Sequence, residues 1–474
     1  MRRLSFTLLA ASLALALPGG VRAQRASKPN IIIILADDMG WGDVGFHGSD
    51  IHTPHLDELA AEGVVLNYFY TAPICSPTRA GLMTGRYPNR FGLRQNVIPP
   101  WSPFGVDTSE VFLPEMLARA GYLHRAAIGK WHLGCAYKRY LPLRRGFTHF
   151  YGFYNGALDY FTHLREGELD WHDDSSVCRD KGYSTDLITR EAVRCIRSYA
   201  AQSSPFFLYV AYNAPHGPLQ AKTQDLLSYG FDSTRPRFPH KGAQGQKGRG
   251  NTKRQTYAAM VTCMDRGIGR IMETLKTLGV DRNTLVLFFS DNGAAKNLGG
   301  SEGGLKGWKF QEWAGGVRAP AVVRWPAGLR EPRVTNQVTG YVDVMPTLMA
   351  AAGVTARPPK PLDGINMLSV WSGATDSVDR YFYLGHGAII HSPWKLVTAR
   401  SGNPAMKETS DVVTNILTDP TEKRNLADSL PGVLHSLTQA VKPYEAIRPT
   451  REVPPYGEGR KGFVAPKDWV ITHE

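Results

Sequence analysis

Five short stretches carry residue types that chemistry uses. Asp37 and Asp38 are adjacent carboxylates, and Ser290-Asp291-Asn292-Gly293 supplies further hard oxygen donors. Cys75-Ser76-Pro77-Thr78-Arg79 sets an arginine four residues after a cysteine. Lys130-Trp131-His132 offers a cation and an imidazole, and Asn213-Ala214-Pro215-His216 a second imidazole. Neighbouring carboxylates at a buried position repel one another, and a bound cation is the simplest compensation. The competing reading is a solvated turn. Pro77 suits the first position of a helix and Gly85 its end, so the spacing predicts a helix with Cys75 at its N-terminus and Arg79 one turn along. Helix amides and a guanidinium there stabilise a thiolate or any other anion. The bland alternative is a structural cysteine beside a surface arginine.

The elements that position these residues point to one sheet. Residues 30–36, Asn-Ile-Ile-Ile-Ile-Leu-Ala, are apolar on both faces, as in a buried parallel strand, and end at Asp37-Asp38. Residues 284–289 end at Ser290-Asp291-Asn292, residues 205–211 run to His216, and residues 123–128 lead to Lys130 and His132. Open α/β sheets bind ligands beyond the carboxyl ends of their strands, so four such endings predict one active site along a common edge. Helical patterns at 53–60, 113–120, 185–199, 255–278 and 343–352 separate the strands. The alternation predicts an α/β fold, a large mostly parallel sheet flanked by helices. Arg357-Pro358-Pro359-Lys360-Pro361 is a stiff linker. It divides a catalytic domain, 27–355, from a smaller C-terminal α+β subdomain and tail, 362–474.

Composition narrows the class. At 474 residues with 42% hydrophobic and 20% charged residues, the chain is an ordinary globular protein. Arg2 and Arg3 precede an apolar run over 4–17 and a small-residue site ending at Ala23, the pattern of a signal peptide, 1–23. The run is short for a membrane span and no other segment reaches spanning length, so the expectation is an exported protein, periplasmic or secreted. Losing Arg2, Arg3 and Arg22 with the leader takes the formal net charge from +13 to +10. That excess favours anionic partners. Export argues for an anionic polysaccharide, not nucleic acid. The basic, acid-free run over 235–254 reads as a solvated loop, with an electrostatic funnel as the alternative. Apart from Cys75, four cysteines remain (Cys135, Cys178, Cys195 and Cys263), enough for two bridges or four free thiols.

With these residues on the page, Cys-x-Pro-x-Arg followed by Leu82-Met83-Thr84-Gly85-Arg86 resembles the signature of type I sulfatases of the alkaline phosphatase superfamily. Asp37 to Asp43, Gly129 to Gly134, Ser290 to Gly293 and Glu312 to Arg318 are similar to further blocks of that family. The resemblance implies that Cys75 is converted after synthesis to 3-oxoalanine (Cα-formylglycine) by a formylglycine-generating enzyme. It implies one Ca²⁺ held by Asp37, Asp38, Asp291 and Asn292 beside the modified Cys75. It also implies catalytic roles for Arg79, Lys130, His132, His216 and a lysine six residues before the Gly-Gly-Val-Arg block, which selects Lys309 over Lys306. In the implied reaction a hydrated aldehyde attacks sulfur while Arg79, Lys130 and Lys309 neutralise the sulfuryl oxygens. His216 or Lys309 then protonates the departing alcohol, and His132 takes a proton so that sulfate is expelled. The expected substrate is an aryl sulfate or a sulfated hexosamine, such as N-acetylgalactosamine 4- or 6-sulfate. Two alternatives stay open: a formylglycine-type phosphodiesterase or phosphonate monoester hydrolase, and an inactive polysaccharide-binding homologue.

Overall fold

The computed structural model describes residues 28–94, 96–242, 245–329 and 331–474. The proposed leader lies outside them. The main sheet has ten strands. In chain order they are β1 (Asn30–Ala36), β2 (Val64–Leu66), β3 (His124–Lys130), β4 (His149–Phe153), β5 (His172–Asp173), β6 (Ser176–Val177), β7 (Phe206–Ala211), β8 (Thr284–Ser290), β9 (Ala321–Arg324) and β10 (Arg333–Thr335). The centre runs β8-β1-β7-β3-β4, every pair parallel. Antiparallel neighbours close it on both sides, β9 on β8 and β5 on β4. Strand β3 begins at His124 and continues through Lys130, two residues past the predicted end.

β1 shows why a two-sided apolar run belongs at the centre. Ile31, Ile33 and Leu35 pack on one face with the helices Cys75–Thr84, Leu113–Arg119 and Val344–Ala351. Ile32, Ile34 and Ala36 pack on the other with Pro54–Glu62, Ser184–Ala200 and Lys253–Thr277. All six side chains are fully buried. At roughly 1.5–3 kcal/mol per large aliphatic side chain, this strand is a principal anchor of the three-layer fold. A parallel alignment sends every central strand toward the same edge, so Asp37, Lys130 and Asp291 emerge side by side.

Beyond the linker, four antiparallel strands form a small sheet, Phe382–Gly385, Ala388–His391, Trp394–Val397 and Val412–Asn415, backed by the helix Pro431–Glu445. This unit has no separate core. Phe382, Leu384 and Ile389 pack with Tyr70, Trp313 and Tyr341 of the preceding chain. The segment after the helix then returns across the catalytic body. Val453 N–H donates to Gly92 O (2.9 Å), Trp469 is buried, and Lys138 N–H donates to His473 O (2.8 Å).

Candidate active site

The helix Cys75–Thr84 starts two residues earlier than predicted, so Pro77 is its third residue, not its first. The early start costs no hydrogen bond, because the third amide of a helix also lacks an intrahelical acceptor. Gly85 ends the helix at φ 66°. The whole helix is buried, which places Cys75 Sγ 3.5 Å from Asp37 Oδ1 and 3.8 Å from Asp38 Oδ1. Arg79 lies one turn deeper. Its Nε donates to Asp291 Oδ2 (3.0 Å) and Nη1 to Tyr209 Oη (3.2 Å) and Lys130 O (3.3 Å). Its other Nη lies 2.8 Å from Asp291 and 3.6 Å from Asp37.

The other residues arrive from the strand ends and from the segment between β8 and β9. Lys130 Nζ donates to Asp37 Oδ2 at 2.6 Å. Lys309 Nζ donates to Asp38 Oδ1 at 2.6 Å and reaches Cys75 Sγ at 3.4 Å. Lys306 points elsewhere, its ammonium 3.2 Å from the centroid of the Trp313 ring. Asn292 Nδ2 donates to Asp38 Oδ1 and Gly293 O, both at 2.8 Å. His216 Nε2 is 3.6 Å from Asp38 Oδ2, and its Nδ1 lies 2.7 Å from Gly217 O, which holds the proton of the neutral ring on Nδ1. His132 sits at φ 60°, an uncommon conformation outside glycine, and Ser76 Oγ donates to its carbonyl at 3.0 Å. A side chain at Gly156 would meet the His132 ring 2.4 Å from Nε2, so glycine makes room for the imidazole.

Three carboxylates thus face three cations at almost complete burial. Burial alone would raise the Asp38 carboxyl, but Lys309 and His216 hold it below the usual carboxylate range. Burial would lower the Lys309 ammonium, and Asp38 outweighs it and holds it above its ordinary value. Burial pushes Asp291 up to about 6, with Asp37 adding to the rise. Burial also depresses both imidazoles, His216 to about 3. The Cys75 thiol is pushed up by burial and by Asp291. Lys130 and Lys309 oppose that rise.

The site has the donors for a hard cation. Carboxylate oxygens of Asp37 and Asp38, Cys75 Sγ and a His216 ring nitrogen all lie within 4.8 Å of one another. Asn292 Oδ1 is buried without a hydrogen-bond partner. An orphaned amide oxygen beside clustered carboxylates is an arrangement that an oxygen-seeking divalent ion satisfies.

Above these residues opens a cavity of about 630 Å³ lined by Cys75, His132, His216 and Lys309. Its outer walls come from residues that the sequence did not single out, including Arg94, Arg165, Phe310, His386, Asn403 and Tyr456. Arg79 and Lys130 have no exposed side-chain surface and are not among the residues lining the cavity; both are held against the carboxylates. The basic run over 235–254 contributes no described residue to the lining. Its Arg254 is tied to Asp43 and Asp50, and its Arg249 to Phe238 O. All five cysteines are free thiols, which resolves the open question of bridges.

A parallel sheet whose strand ends converge on a carboxylate-rich, cation-lined floor is the architecture of the sulfatase class. The Sulfatase family model matches residues 29–354, and the chain belongs to that family. Arylsulfatase J of Mus musculus is 31% identical over 486 residues, covering 90% of this chain and 78% of its own length. N-acetylgalactosamine-6-sulfatase of Mus musculus is 34% identical over 375 residues, covering 74% and 67%. The solved structure of Ps i-CgsB in complex with k-i-k-neocarrahexaose superposes with a TM-score of 0.79 at 31% identity, covering 92% of this chain and 96% of that one. The protein is accordingly a sulfuric ester hydrolase. Among the described residues no helix is long and apolar enough to cross a membrane.

Proposed function

We propose that the protein hydrolyses sulfate esters of a carbohydrate, using Cys75 after its oxidation to Cα-formylglycine. The observation that carries this reading is the placement of Cys75 at the floor of the cavity. There its Sγ lies 3.4 Å from Lys309 Nζ and within 3.8 Å of both Asp37 and Asp38. When present, the hydrated aldehyde supplies a hydroxyl nucleophile and a second hydroxyl to release sulfate, and a bound Ca²⁺ adds charge for activating and orienting it. Asp37, Asp38, Asp291 and Asn292 would hold that ion.

The chain's own groups then divide the work. Lys309 faces the cavity and neutralises negative charge on the sulfuryl oxygens, in a partly dry site where such charge is effective. Arg79 and Lys130 orient Asp291 and Asp37, so their charge reaches the sulfuryl group as field rather than contact. Lys309, or His216 in its protonated form, delivers the proton to the departing alcohol. His132 Nδ1, buried without a hydrogen-bond partner, is free to take a proton at the position of residue 75.

A sulfated hexosamine, such as N-acetylgalactosamine 4- or 6-sulfate, is the proposed substrate. The names of the relatives and a cavity of the size that holds drug-sized ligands support it. The same reading takes 27–355 as the catalytic domain, with 362–474 completing its cavity. It also places the enzyme in the periplasm or outside the cell, matured by a formylglycine-generating enzyme. Parallel turnover of an aryl sulfate, an aryl phosphate diester and a panel of 4-O- and 6-O-sulfated saccharides tests the proposal. A kcat/KM favouring sulfate, with release from one saccharide position, is expected; a large preference for the phosphate diester would overturn it.

A further inference from the structure

The residues lining the cavity include no aspartate or glutamate, yet they include two arginines besides Lys309. One scissile sulfate is served at the floor, by Lys309 and the residues around Cys75. Arg94 and Arg165 stand on the outer walls and are not needed for it. Each has an Nε that is buried and without a hydrogen-bond partner. Arg165 pairs through Nη2 with Glu166 Oε1 at 3.5 Å, which leaves its Nε side of the guanidinium for another acceptor. Arg94 pairs through Nη2 with Glu445, a carboxylate that also accepts from Tyr383 Oη (2.7 Å) and Gly387 N–H (2.8 Å). Glu445 is therefore divided among three donors, and the Arg94 guanidinium keeps capacity for another acceptor. A buried guanidinium nitrogen without a partner is costly, and an anion that supplies the missing acceptor relieves that cost.

Arg165 is also held in place. It sits on a two-residue arm of a tight hairpin, Leu164–Arg165 paired with Glu168–Leu169. The C-terminal segment grips that hairpin from outside. Trp469 Nε1 donates to Arg165 O (3.0 Å), Asp468 N–H donates to Glu168 Oε2 (2.9 Å), and Lys467 Nζ reaches the same oxygen at 3.0 Å. The same segment supplies Tyr456, whose ring packs edge-on against Trp101 at 5.1 Å and forms part of the cavity wall. An aromatic ring and two cations lining one cavity make a surface suited to a sugar ring bearing an anionic substituent.

We propose that Arg165 and Arg94 form a second anion subsite, so that the preferred substrate is a saccharide carrying another sulfate or carboxylate besides the ester that is cleaved. The C-terminal segment is the strap that positions Arg165 for it. This deepens the sulfatase reading and rests on it for the nature of the substrate, but the subsite can be read by binding alone.

The test is calorimetric binding to full-length Cys75→Ser protein, which requires no turnover. Three oligosaccharides of equal length serve as probes, carrying one sulfate, two sulfates, or one sulfate and one uronic acid carboxylate. The doubly anionic probes should bind roughly tenfold or more tightly than the singly sulfated one, as expected for a charge-assisted hydrogen bond gained. Whichever doubly anionic probe binds better identifies the second group as sulfate or carboxylate. In an Arg165→Met background the ratio should fall toward one, with Arg165→Lys intermediate because it keeps charge but loses the guanidinium fork. Trp469→Phe, which keeps the ring and removes the donor to Arg165 O, should lower the ratio partway. Circular dichroism melts identify any variant that fails to fold, and Arg94→Met then supplies the independent reading. Equal affinity for all three probes, or a ratio unchanged in both arginine variants, would overturn the subsite. Absence of aryl sulfate turnover by the mature enzyme would instead count against the sulfatase mechanism.

Discussion

Two ionic clusters sit at opposite ends of the central sheet, and only one of them is left unfinished. At the amino end of β4, His149 Nε2 lies 2.7 Å from Glu191 Oε1 and its Nδ1 2.9 Å from Asp174 Oδ1. Glu191 is also gripped by Arg194, whose Nε lies 3.0 and 2.9 Å from its two oxygens, and Asp174 also accepts from Phe150 N–H at 2.9 Å. Both ring nitrogens are matched, so the cluster is a closed tie between helix and strand. At the carboxyl edge, Asp37, Asp38 and Asp291 balance Arg79, Lys130 and Lys309, yet Asn292 Oδ1 and His132 Nδ1 lack partners and a cavity opens beside them. The lesson is that charge density alone does not mark a site. The mark is buried polar capacity that the protein leaves unused, next to space.

The sharpest way to break this contrast is to remove the central group. Cys75→Ala should lower kcat/KM for an aryl sulfate by about 10⁴-fold or more while circular dichroism stays native, since losing a covalent nucleophile leaves only binding and electrostatic help. Next comes the lysine pair. Lys309→Ala should cost roughly 10²–10³-fold in kcat, the scale of removing one charge-stabilising donor. Lys306→Ala, which loses only its perch on Trp313, should stay close to wild type. A series of aryl and alkyl sulfates sharpens the proton-donor assignment. The variant lacking the true acid, Lys309→Ala or His216→Ala, should lose most on the poorest leaving groups.

Chelation of divalent ions should then reduce both activity and Tm, with recovery on adding Ca²⁺, because an ion bound only by the folded protein stabilises it by mass action. The smallest effect belongs to the closed cluster. His149→Ala should cost about 1–3 kcal/mol in denaturant unfolding and leave kcat unchanged. Burial would lower the His149 imidazole, but contacts to Cys195 and Glu191 outweigh it and raise it to about 10. A raised imidazole stabilises the fold fully below its ordinary value near 6.5 and loses that contribution as pH climbs through about 10. The gap between wild type and variant should therefore be widest in acid and narrow toward pH 10, as read from paired unfolding curves.

Much of the site was legible because β-branched runs announce parallel strands and parallel strands share a carboxyl edge. Asp37, Asp38, Lys130, Asp291 and Asn292 stand at or just past such ends, and the helix carrying Cys75 is bounded by its own glycine. The short strands Val64–Leu66 and Ala321–Arg324 were not legible, because three or four residues carry too little periodicity to separate from a loop. Tyr209 was hidden for another reason. Within an apolar strand a tyrosine reads as core, and only the fold brings its hydroxyl to Arg79. The cavity walls were beyond sequence reading altogether, since Arg94, Arg165, Asn403 and Tyr456 come from segments brought together by the C-terminal sheet and strap.

The central claim concerns the atom at the floor of the cavity, and mass spectrometry of the Cys75-containing peptide, taken from enzyme whose sulfate-ester turnover has been measured, tests it most directly. The account predicts that residue 75 carries an aldehyde in a fraction that tracks activity; fully active enzyme containing only the unmodified thiol would contradict it.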